Sequence, residues 1–130
     1  MDGIVFLSVQ DVLEIQARII LEFGGDTGLR DRGLLESAVS MPGSMFSGQY
    51  LHSALPEMAG AYHFHLCSNH CFVDGNKRVA VTAAEVFLLI NGMELTAADS
   101  DLEEITWALA SGQVSKDQVL EFYRKNVVDL

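Results

Sequence analysis

The sequence predicts an all-α fold, and three observations carry that expectation. Apolar residues Val12, Ile15, Ile19 and Phe23 fall on one helical face near the start of the chain. Helix start and stop signals bracket one segment after another along the whole length. Alternating strand patterns are scarce, so the layers available for packing are helices.

Each element follows from local chemistry. Ser8 is placed to N-cap a first helix running to about Phe23, with Asp11 in the capping-box region and Gly24-Gly25 as the stop. Asp31 is placed to cap a short second helix to about Met41, with Leu34, Leu35 and Ala38 inward and Pro42-Gly43 ending it. Ser44 to Leu51 is irregular and fits a short hairpin or flap. Ser53 is the expected cap of a third helix to about Asn69, with Pro56 tolerated in the first turn. Asn76 to Ile90 is the fourth helix and the most apolar, expected at the centre and ended by Asn91-Gly92. Asp99 to Ala110 and Ser115 to Lys125 complete six helices, with Gly112 between the last two. Acids at both starts suit the helix dipole, and Ser115 with Gln118 has the capping-box pattern.

The chain has 130 residues, a length that suits one domain over 1–130. Hydrophobic residues make up 49%, enough to build a core. The net charge of −10 disfavours binding to DNA or to an anionic membrane. The start, MDGIVF, has an acid where a secretion signal carries basic residues. The longest apolar stretch, Val79 to Ile90, is broken by Thr82 and Glu85 and is too short to span a bilayer. A cytoplasmic location is the expectation. Cys67 and Cys71 are too few and too close for a disulfide framework, and thiols are expected.

The most informative run is His70 to Arg78, HCFVDGNKR. A loop that turns at Asp74-Gly75 and feeds a helix near Asn76 presents unpaired N–H groups at the positive end of the helix dipole. Such a start is an anion site, and Lys77 and Arg78 add full charges to it. Gly75 permits positive φ and close backbone approach. Asp74 suits Mg²⁺, which binds one or two carboxylates together with substrate phosphates. His70 can accept a proton from an incoming hydroxyl. Arg78 offers a planar fork to phosphate oxygens. Phe72 is expected to anchor the loop in the core. The blander readings are a capped Asp-Gly turn, with Asn76 as N-cap and Asp74 paired to a neighbouring cation.

His70, Phe72, Asp74, Gly75, Asn76 and Arg78 resemble the H-x-F-x-[DE]-[GA]-N-x-R signature of the Fic/Doc family. Lys77 after the Asn looks like the Doc (death on curing) branch. The adenylyl-transferring branch has Gly at that position and a second Arg three residues after the first, where this chain has Val81. Gly28 to Ala38, GLRDRGLLESA, also looks like Doc proteins. The resemblance implies a compact Fic-type bundle with a flap and a protein kinase toxin using Mg²⁺ and ATP. It implies His70 as base, Asp74 as metal ligand, and Gly75, Asn76, Lys77 and Arg78 as nucleotide-binding residues. It further implies a translation elongation factor as target and an antitoxin protein as partner. The family's inhibitory S/T-x-x-x-E-G/N run is missing: Ser53 and Glu57 are followed by Met58, and Thr82 has Val86 at that spacing.

Rival readings attach to the same residues. A protein adenylyltransferase would use the same scaffold, and a non-catalytic helical module would use the motif only to stiffen a loop. His63, Cys67 and His70 at i, i+4 and i+7, with Cys71 and His65 nearby, have the ligand types for Zn²⁺. A metal there would consume the base. Arg30, Asp31 and Arg32 are expected to be a helix cap with flanking charges, or contacts for a nucleotide or partner. Glu85 is expected to face solvent or a cation, and Trp107, Phe122 and Tyr123 to pack in the core or at its edge.

Overall fold

A computed structural model describes residues 3–130. Six helices form the body: α1 (Val9–Phe23), α2 (Arg32–Ser40), α3 (Leu55–Asn69), α4 (Asn76–Ile90), α5 (Asp99–Ala110) and α6 (Lys116–Asn126). The mostly helical class is as the sequence predicts. Among the described residues, no helix is long and apolar enough to cross a membrane.

Capping sets most helix starts. Ser8 accepts from the Asp11 backbone while Asp11 accepts from Ser8, closing the expected box. Asp31 caps α2 through the Leu34 N–H at 2.9 Å. Ser115 and Gln118 form the second box. Ser53 does not cap α3. The N-cap is Ala54, and the Ser53 N–H and hydroxyl both donate to the Glu57 carboxylate. That carboxylate also meets Arg124 of α6 at 3.4 Å, so Ser53 stiffens the approach to α3 without entering the helix.

The flap is a two-residue hairpin. Strands β1 (Met45–Phe46) and β2 (Gln49–Tyr50) pair antiparallel, with Ser47 and Gly48 between them. Both turn residues have positive φ (51° and 78°), the backbone that matches the twist of paired strands. A second small sheet departs from the all-helical expectation. Strands β3 (Met93–Leu95) and β4 (Val127–Asp129) pair antiparallel, tying the chain end to the exit of α4.

α4 lies at the centre, as its apolar pattern predicts, and shares that place with α3. α3 packs against α2, α4, α5 and α6, while α4 packs against α1, α3 and α5. Small buried residues, Ala59, Gly60, Ala61, Ala80, Ala83 and Ala84, let the axes approach. A Cβ on Gly60 would lie 2.8 Å from Leu120 Cδ2 and 3.3 Å from Leu120 Cα, so α6 sits directly on this glycine. Tyr62, Phe72, Phe87, Leu35, Met58 and Val12 fill the space between. The Tyr62 hydroxyl accepts from the Leu7 N–H at 2.8 Å, and burial is the main cause that pushes its pKa up to about 12.

His63 has a structural place in this core. Its Nδ1 meets the Tyr123 hydroxyl and its Nε2 lies 2.9 Å from Thr106 Oγ1. Thr106 donates its hydroxyl proton to Leu102 O, so it accepts from Nε2–H, and Nδ1 accepts from Tyr123. Both ring nitrogens are thereby used within the core. Burial lowers the His63 pKa to about 4.

Candidate active site

The loop between α3 and α4 holds the residues singled out by sequence, and it is built from both ends. α3 stops at His70, whose backbone is left-handed (φ 48°, ψ 55°). That conformation costs a non-glycine residue on the order of 1–2 kcal/mol, so its surroundings must impose it. Phe72, 1% exposed, pins the middle of the loop in the core as expected. Gly75 closes the loop as the N-cap of α4, with φ +85°, and the nearest neighbours of an added Cβ there would be side-chain atoms of Ile20, Ile19 and Val79 at 3.5 Å or more. Asn76 is therefore the first helical residue and does not act as the N-cap.

Asn76 works inward instead. Its Oδ1 accepts from the Phe72 N–H at 3.0 Å, and its Nδ2 donates to Phe72 O at 2.9 Å. Those two bonds fix the amide orientation, so the group that faces His70 Nδ1 at 3.3 Å is an N–H. In the neutral ring the lone pair then sits on Nδ1 and the proton on Nε2. His70 itself is exposed to solvent.

α4 begins without a side-chain cap, unlike α1, α2 and α6. The first intrahelical bond runs from Val79 N to Gly75 O, which leaves the backbone N–H groups of Asn76, Lys77 and Arg78 for a ligand. Lys77 and Arg78 are exposed beside them. The Arg78 guanidinium stacks on the Phe23 ring at 4.0 Å. The apolar periodicity of α1 puts Phe23 inward, yet it is 54% exposed.

Asp74 is not paired with either cation. Its Oδ2 accepts from the Asp26 N–H at 2.8 Å, and its backbone carbonyl accepts from Gln16 Nε2 at 3.3 Å. Gln16, 2% exposed on the inner face of α1, donates to Asp26 O as well. Sequence reasoning misses Gln16; the available signal is an amide at i+4 from Val12 on an otherwise apolar face. Asp74 is exposed and lies just before the uncapped helix start. A hard carboxylate oxygen there fits Mg²⁺.

The Gly28–Ala38 segment has a defined place too. Leu29 bridges Phe72, Val73 N donates to Gly28 O, and Arg30 N and Asp31 N both donate to Cys71 O. Cys71 is fully buried, which pushes its thiol pKa up to about 11 and makes it a poor nucleophile.

A cleft of about 770 Å³ runs between α1, α4 and α5. Lys77 and Arg78 form its end nearest the loop, and Phe23, Thr82, Glu85 and Trp107 are among its walls. His70, Asp74 and Gly75 are not. Trp107 is 62% exposed at this cleft and is not a core residue. Glu85 has no ion-pair partner among the described residues; burial, then the nearby Asp99, raises its pKa.

A helical bundle whose two central helices are joined by a loop carrying an imidazole, a carboxylate and unpaired backbone N–H donors defines a Fic-type protein. Residues 6–88 match the Fic/DOC family, and the chain belongs to it. It is 42% identical over 98 residues to "Toxin Doc" of Mycolicibacterium smegmatis, covering 75% of this chain and 72% of that protein. It is 25% identical over 119 residues to "Protein kinase doc" of Escherichia phage P1, covering 92% of this chain and 93% of that protein.

Proposed function

We propose that this chain is a Doc-type toxin, a protein kinase that moves the terminal phosphoryl group of Mg·ATP to a Ser or Thr hydroxyl of a translation elongation factor. One observation carries the reading. Within nine residues an exposed imidazole, an exposed carboxylate and an uncapped helix start bearing two cations are brought together. The relatives' names, a toxin and a protein kinase, support the same class.

In this reading the phosphates of ATP lie against the backbone N–H groups at Asn76, Lys77 and Arg78, with Gly75 allowing close approach. Arg78 supplies its fork and Lys77 a point charge. Asp74 would hold Mg²⁺, which, when bound, offsets the charge of the phosphates. The target hydroxyl gives its proton to His70 Nδ1, displacing the weak Asn76 contact. Its oxygen forms the new bond to the terminal phosphorus, the bond from that phosphorus to the bridging oxygen breaks, and ADP leaves. Lys77 favours phosphoryl over AMP transfer by filling the space that the adenylylating branch leaves open with Gly.

The partner in this reading is an antitoxin protein acting in trans. The chain lacks the family's inhibitory run, and the α1–α4–α5 cleft, with the exposed rings of Phe23 and Trp107, suits an apolar segment of such a partner. The experiment compares bacterial lysate treated with this chain and ATP labelled on the γ or on the α phosphate. Label carried to protein from the γ position alone supports the kinase. Label carried from the α position selects the adenylyltransferase, and no transfer from either returns the motif to a structural role.

A further inference from the structure

We infer that Arg30 is a positioning residue for His70, a role that rests on the transfer reading above. The left-handed backbone at His70 aims its ring, and Arg30 is the side chain that grips that backbone. Arg30 Nε donates to His70 O at 2.7 Å, and Nη2 donates to Asn69 O at 3.2 Å. A planar guanidinium can take two successive carbonyls at once; an ammonium cannot do so in the same geometry.

The location is chemically apt. α3 has no basic residue in its last turn, so the negative end of its dipole is unanswered by its own side chains. Arg30 answers it from the α1–α2 connection, forty residues away in sequence. Arg30 is itself held: its N–H, with that of Asp31, donates to Cys71 O, and Leu29 bridges Phe72. Asn69 Nδ2 completes the splint by donating to Leu34 O.

The ring of His70 has little else to orient it. Among the described residues, its one side-chain hydrogen-bonding approach is that of Asn76 at 3.3 Å. The aim of Nδ1 is therefore set through the His70 backbone, and release of the two carbonyls lets the left-handed turn relax and swing the imidazole away from the start of α4. A displacement of about 1 Å is enough to lower a rate by about 100-fold. Among the described residues the Arg30 side chain hydrogen-bonds the carbonyls of Asn69 and His70, and neither belongs to the cations or backbone donors proposed for ATP.

The test uses the whole chain as wild type, Arg30→Ala and Arg30→Lys. Transfer from γ-labelled ATP to lysate protein is measured per folded molecule, beside Mg·ATP affinity by calorimetry. Nuclear Overhauser contacts between the His70 ring and the Asn76 side-chain amide are recorded on the same samples. Arg30→Ala should lower the transfer rate about 10-fold to 100-fold, leave ATP affinity within about 2-fold, and lose the ring-to-amide contact. Arg30→Lys should fall between, and it carries the test should the alanine variant not fold. An unchanged rate with the contact retained overturns the inference, as does loss of ATP affinity in step with the rate. The magnetic-resonance arm needs no acceptor: wild-type protein that transfers nothing defeats the kinase reading, while the ring contact still decides the positioning claim.

Discussion

The Arg78 guanidinium lies 4.0 Å above the Phe23 ring, linking the first turn of α4 to the last turn of α1. Among the described residues the guanidinium makes no hydrogen bond or ion pair, so its N–H groups are available to phosphate oxygens. Arg78→Ala should therefore weaken Mg·ATP binding, and Arg78→Lys should restore it only in part, because an ammonium neither forks nor stacks as well. Phe23→Leu should have a smaller effect, on the order of the 0.5–1 kcal/mol of an exposed cation–π contact. Calorimetry on the three variants checks the order.

In the proposed reaction Lys77 selects which phosphorus faces the hydroxyl. If its side chain excludes the AMP-transfer pose, Lys77→Gly should reduce phosphoryl transfer and permit some AMP transfer, since only the aligned pose reacts. Comparing γ-label and α-label incorporation by the variant reads both reactions together.

Gly60 tests the central packing. Its absent Cβ is what lets Leu120 of α6 lie on α3. Gly60→Ala should cost about 1–3 kcal/mol of stability through overpacking, despite the better helix propensity of Ala. Urea unfolding measures the loss, and a more stable variant would mean that α6 can shift at no cost.

His63 sets an acid limit. Its folded pKa, about 4, lies below the ordinary value of 6.5 because burial disfavours the charged ring. Between those two pH values the unfolded chain binds a proton at this site that the folded chain does not, so stability falls as pH drops from 6.5 towards 4. Below about 4 both states carry the proton and this contribution levels off. The full effect is roughly 3 kcal/mol. His63→Gln should be less stable at pH 7, yet lose less on acidification. Denaturant unfolding at three pH values gives both slopes, and equal slopes would refute the assignment.

Much of this molecule is legible in sequence because the signals are local. Ser8 with Asp11, Asp31, and Ser115 with Gln118 each fix a helix start within four residues. The His70–Arg78 run is readable for the same reason: its loop and helix start are contiguous. What stays hidden depends on contacts distant in sequence. β3 and β4 are three residues each, and each finds its partner only across the two helices α5 and α6 that separate them in sequence. Ser53 looks like a cap, but Glu57 takes both of its donors before the helix begins. Asn76 looks like a cap, but Gly75 takes that position and frees the amide to brace the loop. The left-handed turn at His70 has no glycine to announce it; Arg30 and the Leu29–Phe72 bridge impose it from outside.

In the proposed reaction His70 takes a proton from a protein hydroxyl during phosphoryl transfer. The most direct measurement is the intact mass of a purified bacterial translation elongation factor after incubation with Mg·ATP and either wild-type chain or His70→Ala. Wild type should add the mass of one phosphoryl group, and a His70→Ala variant that keeps its helical spectrum should react about 10²–10⁴-fold more slowly. Equal phosphorylation by a folded His70→Ala protein, or a wild-type adduct with the mass of AMP, would contradict that reaction.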